Sequence, residues 1–232
     1  QKLYLRLKIP DDAKAGKYTG TLTLRSAGGQ SAEVPVAIDV YPFRLDEDVP
    51  VSYGLWGGVG PIPEYLPADV RQRVLHDRLQ SMRELGLTSI SINEARVQGV
   101  RADRTVDLKL DPTLFEMVKA AGMARNPMQA LLYENMMASL GRQIARRLPA
   151  SGDVYDNPGA EFKAPEFREC FTDACRQYAA FVAKLGLPLA ATAVDEPRES
   201  DINSWNRNLA DTIEYCKMMR QGGLTVLVNP MA

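Results

Sequence analysis

The residues with the clearest capacity for chemistry are two adjacent carboxylates, Asp195 and Glu196, followed by Pro197. They end an apolar run, LPLAATAV, over 187–194. Carboxyls on neighbouring positions repel each other, so one holds its proton toward neutral pH while the other stays ionised. A protonated acid beside an ionised carboxylate is what glycoside hydrolysis requires. One group protonates the leaving oxygen and the other handles positive charge near the anomeric carbon. Neighbouring backbone positions do not readily place two carboxylates on opposite sides of one sugar carbon. The spacing therefore favours substrate assistance, in which the sugar's own 2-acetamido oxygen is the nucleophile. Glu196, with the longer arm to reach the glycosidic oxygen, is expected to keep the shared proton. Asp195 is expected to stay ionised and orient the acetamido N–H. The same pair before a helix also suits the positive end of a helix dipole.

A parallel barrel works at the C-terminal ends of its strands, and other residues fall at such ends. Trp56 and Tyr133 either line a sugar subsite or cap the core. Asn93 and Asn229 either hydrogen-bond sugar hydroxyls or serve loop turns. With Glu94 and Glu134, the carboxylates 195 and 196 also define a divalent-metal alternative, since strand-end carboxylates ligate Mg²⁺ or Ca²⁺. The leading reading assigns no metal and no cofactor. His76, Cys170, Cys175 and Cys216 lack the short spacing of a zinc site. His76 falls within a predicted helix and reads as structural, and the cysteines read as core thiols. Gly57-Gly58-Val59-Gly60 leads to prolines rather than into a helix, unlike a phosphate loop.

The elements that position these residues change character along the chain. LYLRLKI (3–9), TGTLTLRS and AEVPVAIDVY alternate apolar and polar residues, the pattern of half-buried strands. Gly28-Gly29 separates the last two as a hairpin signal. Residues 1–44 thus read as the last three strands of an antiparallel β-sandwich. From 45 onward, short apolar strands alternate with amphipathic helices. Strands are predicted at 51–56, 87–93, 127–133, 187–194 and 224–229. Helices are predicted at 68–85, after Asp111-Pro112, at 166–185 and at 201–221. A small hairpin occupies 97–110. An insertion over 134–165 carries one short helix near 139–148, longer than a strand-to-helix connection needs. Arg142, Arg146 and Arg147 read as a solvated face of that helix. Ile202, Trp205, Leu209, Ile213, Cys216 and Met219 read as the apolar stripe of the last helix. The Met pairs at 136–137 and 218–219 read as core filling. A doubly wound sheet and a (β/α)8 barrel both fit the alternation. The absence of a phosphate loop favours a barrel cut after its fifth strand.

Composition excludes other classes. The chain has 232 residues, 45% hydrophobic and 25% charged, ordinary globular proportions. Lys+Arg is 28 against Asp+Glu 29, without the basic excess of a nucleic-acid binder. No apolar run approaches a membrane span. The opening directly into a strand pattern, and the close directly after another, read as an internal piece of a longer protein. Its missing partners would be the rest of its own sandwich and barrel.

The segment IPDDAKAGKYTGTLTLRSAGGQSAEVPVAIDVYPFRL resembles the sandwich module that precedes the barrel in glycoside hydrolase family 123. YGLWG, RELGLTSISIN and the strand ending AVDEP resemble the first strands of that family's barrel. The resemblance implies a retaining β-N-acetylgalactosaminidase acting through the substrate's acetamido group. Carried onto this chain, it makes Asp195 the acetamido-holding residue and Glu196 the general acid/base. Tyr133 is the expected aromatic contact to the acetamido on this half. The expected partner is a glycan with terminal β-linked N-acetylhexosamine, met in a secreted or periplasmic setting. The alternative is a carbohydrate-binding scaffold that keeps the barrel without the chemistry.

Overall fold

The computed structural model describes residues 4–45, 53–55, 59–92, 95–123, 130–132, 136–148, 160–187, 189–195 and 209–229. The chain divides into two compact units, Gln1–Asp48 and Val49–Ala232.

In the first unit, β1 (Gly16–Arg25) and β2 (Ser31–Val40) form an antiparallel hairpin. Its register runs from Gly16↔Val40 to Arg25↔Ser31. The turn is closed by Ser26, whose carbonyl accepts the Gly29 N–H at 3.0 Å and whose hydroxyl accepts the Gln30 N–H at 3.2 Å. Alternation then puts Leu22, Leu24, Val36, Ile38 and Val40 on one face, all half-buried. The expected strand at 3–9 is a correction: residues 4–9 join no ladder, and Leu5, Leu7 and Ile9 are exposed. Alternation equips a segment for one buried face, but a strand also needs a partner edge, and this hairpin gives it none.

The second unit is built on a five-stranded sheet in the order β3 (Gly54–Leu55), β4 (Ser89–Ile92), β7 (Ala130–Leu132), β8 (Leu189–Asp195) and β9 (Thr225–Asn229). Every neighbouring pair is parallel. Spatial order follows chain order, with no reversal among the described strands. The small hairpin is β5 (Ala95–Val100) with β6 (Val106–Leu110). Of the strand expected at 51–56, only 53–55 are described, and Gly54–Leu55 make its ladder.

The helices are α1 (Ala68–Glu84), α2 (Thr113–Ala120), α3 (Met136–Ala145), α4 (Phe167–Lys184) and α5 (Leu209–Gln221). Asp111 Oδ1 accepts the Thr113 N–H at 2.9 Å ahead of α2, with Pro112 already at helical angles. α1 and α4 end at Gly86 and Gly186, at φ 90° and 65°. The left-handed turn there lets the Leu87 and Leu187 amides bond back to Met82 and Val182.

α4 buries Phe167, Cys170, Phe171, Ala174, Cys175, Tyr178 and Val182, more of the core than any other described helix. Burial raises the Cys170, Cys175 and Cys216 thiols above the ordinary range, so they pack as protonated thiols. Met137, Met218 and Met219 are buried as core filling.

Two helical stripes depart from expectation. Leu85, which shares the helical spacing of Leu75, Leu79 and Met82, is 77% exposed because it lies past the last turn of α1. In α5, Leu209 and Ile213 are exposed, while Thr212, Tyr215, Met218 and Met219 are buried. Ile202 and Trp205 lie outside the described residues. The aromatic cluster of Phe162, Phe167 and Phe171 holds Tyr215 at centroid distances of 4.9–6.1 Å, and this sets the buried side of α5.

Candidate functional site

All five strands run the same way, so their C-terminal ends share one edge of the sheet. The structure brings two of the sequence-predicted residues together there. Asp195 ends β8 and pairs in register with Asn229, which ends β9. Trp56, Asn93, Tyr133 and Glu196 lie outside the described residues, as do Glu94 and Glu134; of Asp195 and Asn229 the backbone is described. Within the sheet Ile92 pairs with Leu132, and Leu131 with Ala190.

The register also sorts the sheet into two faces. Gly54 pairs with Ser89, and Ser91 is aligned through Leu131 with Ala190. Ser89, Ser91, Ala190 and Thr192 thus fall on one face, and Ile90, Ile92, Ala191 and Val226 on the other. Ser89, Ser91 and Thr192 are buried. Leu227, the partner of Thr192, falls on the first face as well, so that face mixes hydroxylated and aliphatic positions, while the positions named on the other are aliphatic. A Cβ at Gly54 would stand 3.0 Å from the Ser89 carbonyl oxygen, a tight approach that favours glycine there.

Around this edge, the connections after β4 and β7 are tied down by polar side chains. Gln143 Oε1 accepts the Val97 N–H at 3.0 Å, and Arg147 Nη2 donates to the Val97 carbonyl at 2.8 Å. Arg147, just past α3, stays exposed and ties this segment to β5. Asp173 Oδ2 accepts the Val106 N–H at 3.0 Å, and Gln177 Nε2 donates to the Val106 carbonyl at 2.7 Å. Arg104, in the β5–β6 turn at φ 68°, pairs with Glu169 of α4.

A cleft of about 350 Å³ lies between that turn, α4 and Gln221. Its arginines are committed to carboxylates: Arg104 to Glu169, Arg168 to Glu214 at 2.5 Å, and Arg176 to Asp173 at 3.3 Å. A second groove, about 710 Å³, runs between α1 and α2 past His76. His76 is exposed, with Nδ1 3.5 Å from Asp77 Oδ1. Among the described residues no group of three or more His, Cys, Asp or Glu is arranged to hold a metal ion. None of their helices is long and apolar enough to cross a membrane.

Sequence reasoning missed one buried carboxyl. Glu161, in a short 3-10 helix over Ala160–Lys163, is fully buried and accepts the Tyr215 hydroxyl at 2.5 Å. Gly141 of α3 admits the Tyr215 ring, since a Cβ there would lie 2.8 Å from its Cε1. The insertion is thereby bolted to α5. The sequence carried a partial signal, a glutamate between aromatic and small residues in a stretch longer than a connection needs.

The sequence matches no family model and no curated protein. Among solved structures, a radical SAM methyltransferase from Sphaerobacter thermophilus is similar over 97% of this chain and 76% of that one. The identity is 14% and the TM-score 0.23, a likeness too slight to bear on fold or function.

Proposed function

We propose that this chain carries the end of a β-sandwich, residues 1–44, and the first half of a (β/α)8 barrel, residues 45–232, of a glycoside hydrolase that removes β-linked N-acetylhexosamine. The observation that supports the reading is Asp195 at the end of β8, in register with Asn229 at the end of β9, within a parallel sheet whose spatial order follows chain order. Doubly wound sheets reverse strand order at a switch point, where they bind ligands. A sheet that adds each strand on the same side puts right-handed crossover helices on one face. The other face can then become a barrel interior.

In the proposed reaction, Asp195 accepts the acetamido N–H and aligns the acetamido oxygen with the anomeric carbon. That oxygen attacks as Glu196 gives its proton to the departing glycosidic oxygen. Glu196, now ionised, takes a proton from the water that opens the cyclic intermediate, so configuration is retained. N-acetylgalactosamine is the sugar proposed, on the family resemblance.

The test is hydrolysis of an aryl β-N-acetylgalactosaminide by the protein that contains this chain. Glu196→Gln is expected to slow it by about 10² or more, the scale of general acid catalysis. Wild-type turnover of plain hexosides at the rate of N-acetyl ones would remove substrate assistance. Sugar binding without any turnover, surviving loss of both carboxylates, would replace the enzyme with a scaffold.

A further inference from the structure

Beside the bulge that precedes Asp195 lies a buried hydroxyl with no partner among the described residues. Thr192 is fully buried, and its Oγ1 makes no hydrogen bond among the described residues. Buried polar atoms in folded proteins are nearly always paired, so an exception asks for a reason. Packing does not provide one. Ala190, Ala191, Ala193 and Val194 around it in the strand are all fully buried, and valine would fill the same volume without desolvating a hydroxyl.

The register does provide one. Thr192 pairs with Leu227 and Asp195 with Asn229, so β8 advances three residues while β9 advances two. The extra residue is a bulge, which leaves backbone groups outside the ladder and bends the strand. It also decides faces. Leu227 and Asn229 are two apart and share a face, so their partners Thr192 and Asp195 share it too. In a regular strand, positions three apart fall on opposite faces.

We propose that Thr192 is a positioning residue for Asp195: its hydroxyl, with the backbone groups the bulge leaves out of the ladder, holds one buried water that fixes the bulge and so the face on which Asp195 stands. A buried water requires two to four polar partners. A threonine hydroxyl that both donates and accepts, together with an unpaired amide or carbonyl, meets that number. The consequence for turnover rests on the function proposed above; the bulge itself does not.

Amide hydrogen exchange in this chain tests the bulge. Thr192→Val and Thr192→Ala are each expected to speed exchange at Ala193 and Val194 by about tenfold or more, a local opening that leaves the α4 amides unchanged. Thr192→Ser is expected to restore the wild-type rates. In the protein that contains this chain, Thr192→Val is expected to lower kcat on an aryl β-N-acetylgalactosaminide about tenfold with KM within about twofold, as loss of transition-state alignment does. Unchanged exchange in both the Val and Ala variants overturns the proposal, whether or not kcat falls. Accelerated exchange in a protein that hydrolyses no N-acetylhexosaminide supports the bulge water and overturns the glycosidase reading instead.

Discussion

The hairpin unit alternates apolar and polar residues and the sheet-and-helix unit sets apolar strands against amphipathic helices, and among the described residues only the second has a core. No residue from 4 to 45 is buried, and Tyr18 and Val34 on the apolar face remain 46% and 43% exposed. In the second unit Phe115, Phe167, Phe171, Tyr178 and Tyr215 are fully buried. The difference is layers rather than composition. A two-stranded sheet has one apolar face and nothing of its own to lay against it, and such hairpins are marginal alone. A parallel sheet with helices gains a second layer from its own connections.

The sharpest way to break this comparison is truncation of an aromatic on each side. Phe171→Ala is expected to cost about 3–5 kcal/mol, transfer plus cavity. Tyr18→Ala in the hairpin should cost under about 1 kcal/mol, in the range of a cross-strand pair. Urea denaturation of both variants measures the contrast, and equal losses would mean that the hairpin has a core of its own.

Glycine substitutions give a second contrast. At Gly222 a Cβ would collide with Cys175 Cβ and stand 3.1 Å from the Arg176 amide nitrogen. Gly222→Ala is expected to destabilise by about 1–3 kcal/mol through overpacking of α5 against α4. At Gly20 nothing lies within 4 Å, so Gly20→Ala should be neutral or stabilising by up to about 1 kcal/mol. A loss at Gly20 matching that at Gly222 would contradict the open packing of β1.

The buried polar node should respond at a similar or smaller scale. Tyr215→Phe keeps the ring cluster and removes the donor to Glu161. It is expected to cost about 1–3 kcal/mol, the penalty for leaving a buried acceptor short of a partner. Thermal unfolding would check this, and a neutral result would show that Glu161 is satisfied without Tyr215.

The smallest effect is at the start of α2. The Thr113 N–H bond holds Asp111 below the usual carboxylate range. A lowered carboxyl contributes stability above its unfolded value of about 3.9, and loses it as pH falls through the folded one. Asp111→Ala should therefore cost about 1 kcal/mol at pH 7, as a lost cap does. The gap from wild type should close by about pH 2–3. Melting temperatures at both pH values decide this; a gap unchanged in acid would assign it to something other than the ionised cap.

Local pattern determined much of this protein from sequence alone. The α1, α2 and α4 spans, the two hairpins and the Gly86 and Gly186 closures were readable because each depends on periodicity or on one residue's backbone freedom. The candidate pair Asp195-Glu196 was readable because carboxylates that end an apolar run are conspicuous. Only the tertiary structure decided which segments found partners. Residues 4–9 have a strand's alternation and no ladder. Ile213 has a helix stripe's spacing and lies on the wrong side of α5, because Phe162 and Phe167 claim Tyr215. Arg147 has a surface residue's chemistry and spends it on a carbonyl of β5. The bulge between Thr192 and Asp195 is invisible in AATAVD, since an extra residue in one strand exists only relative to its neighbour. Periodicity says which residues want burial or pairing, and it does not say what is available to bury or pair them.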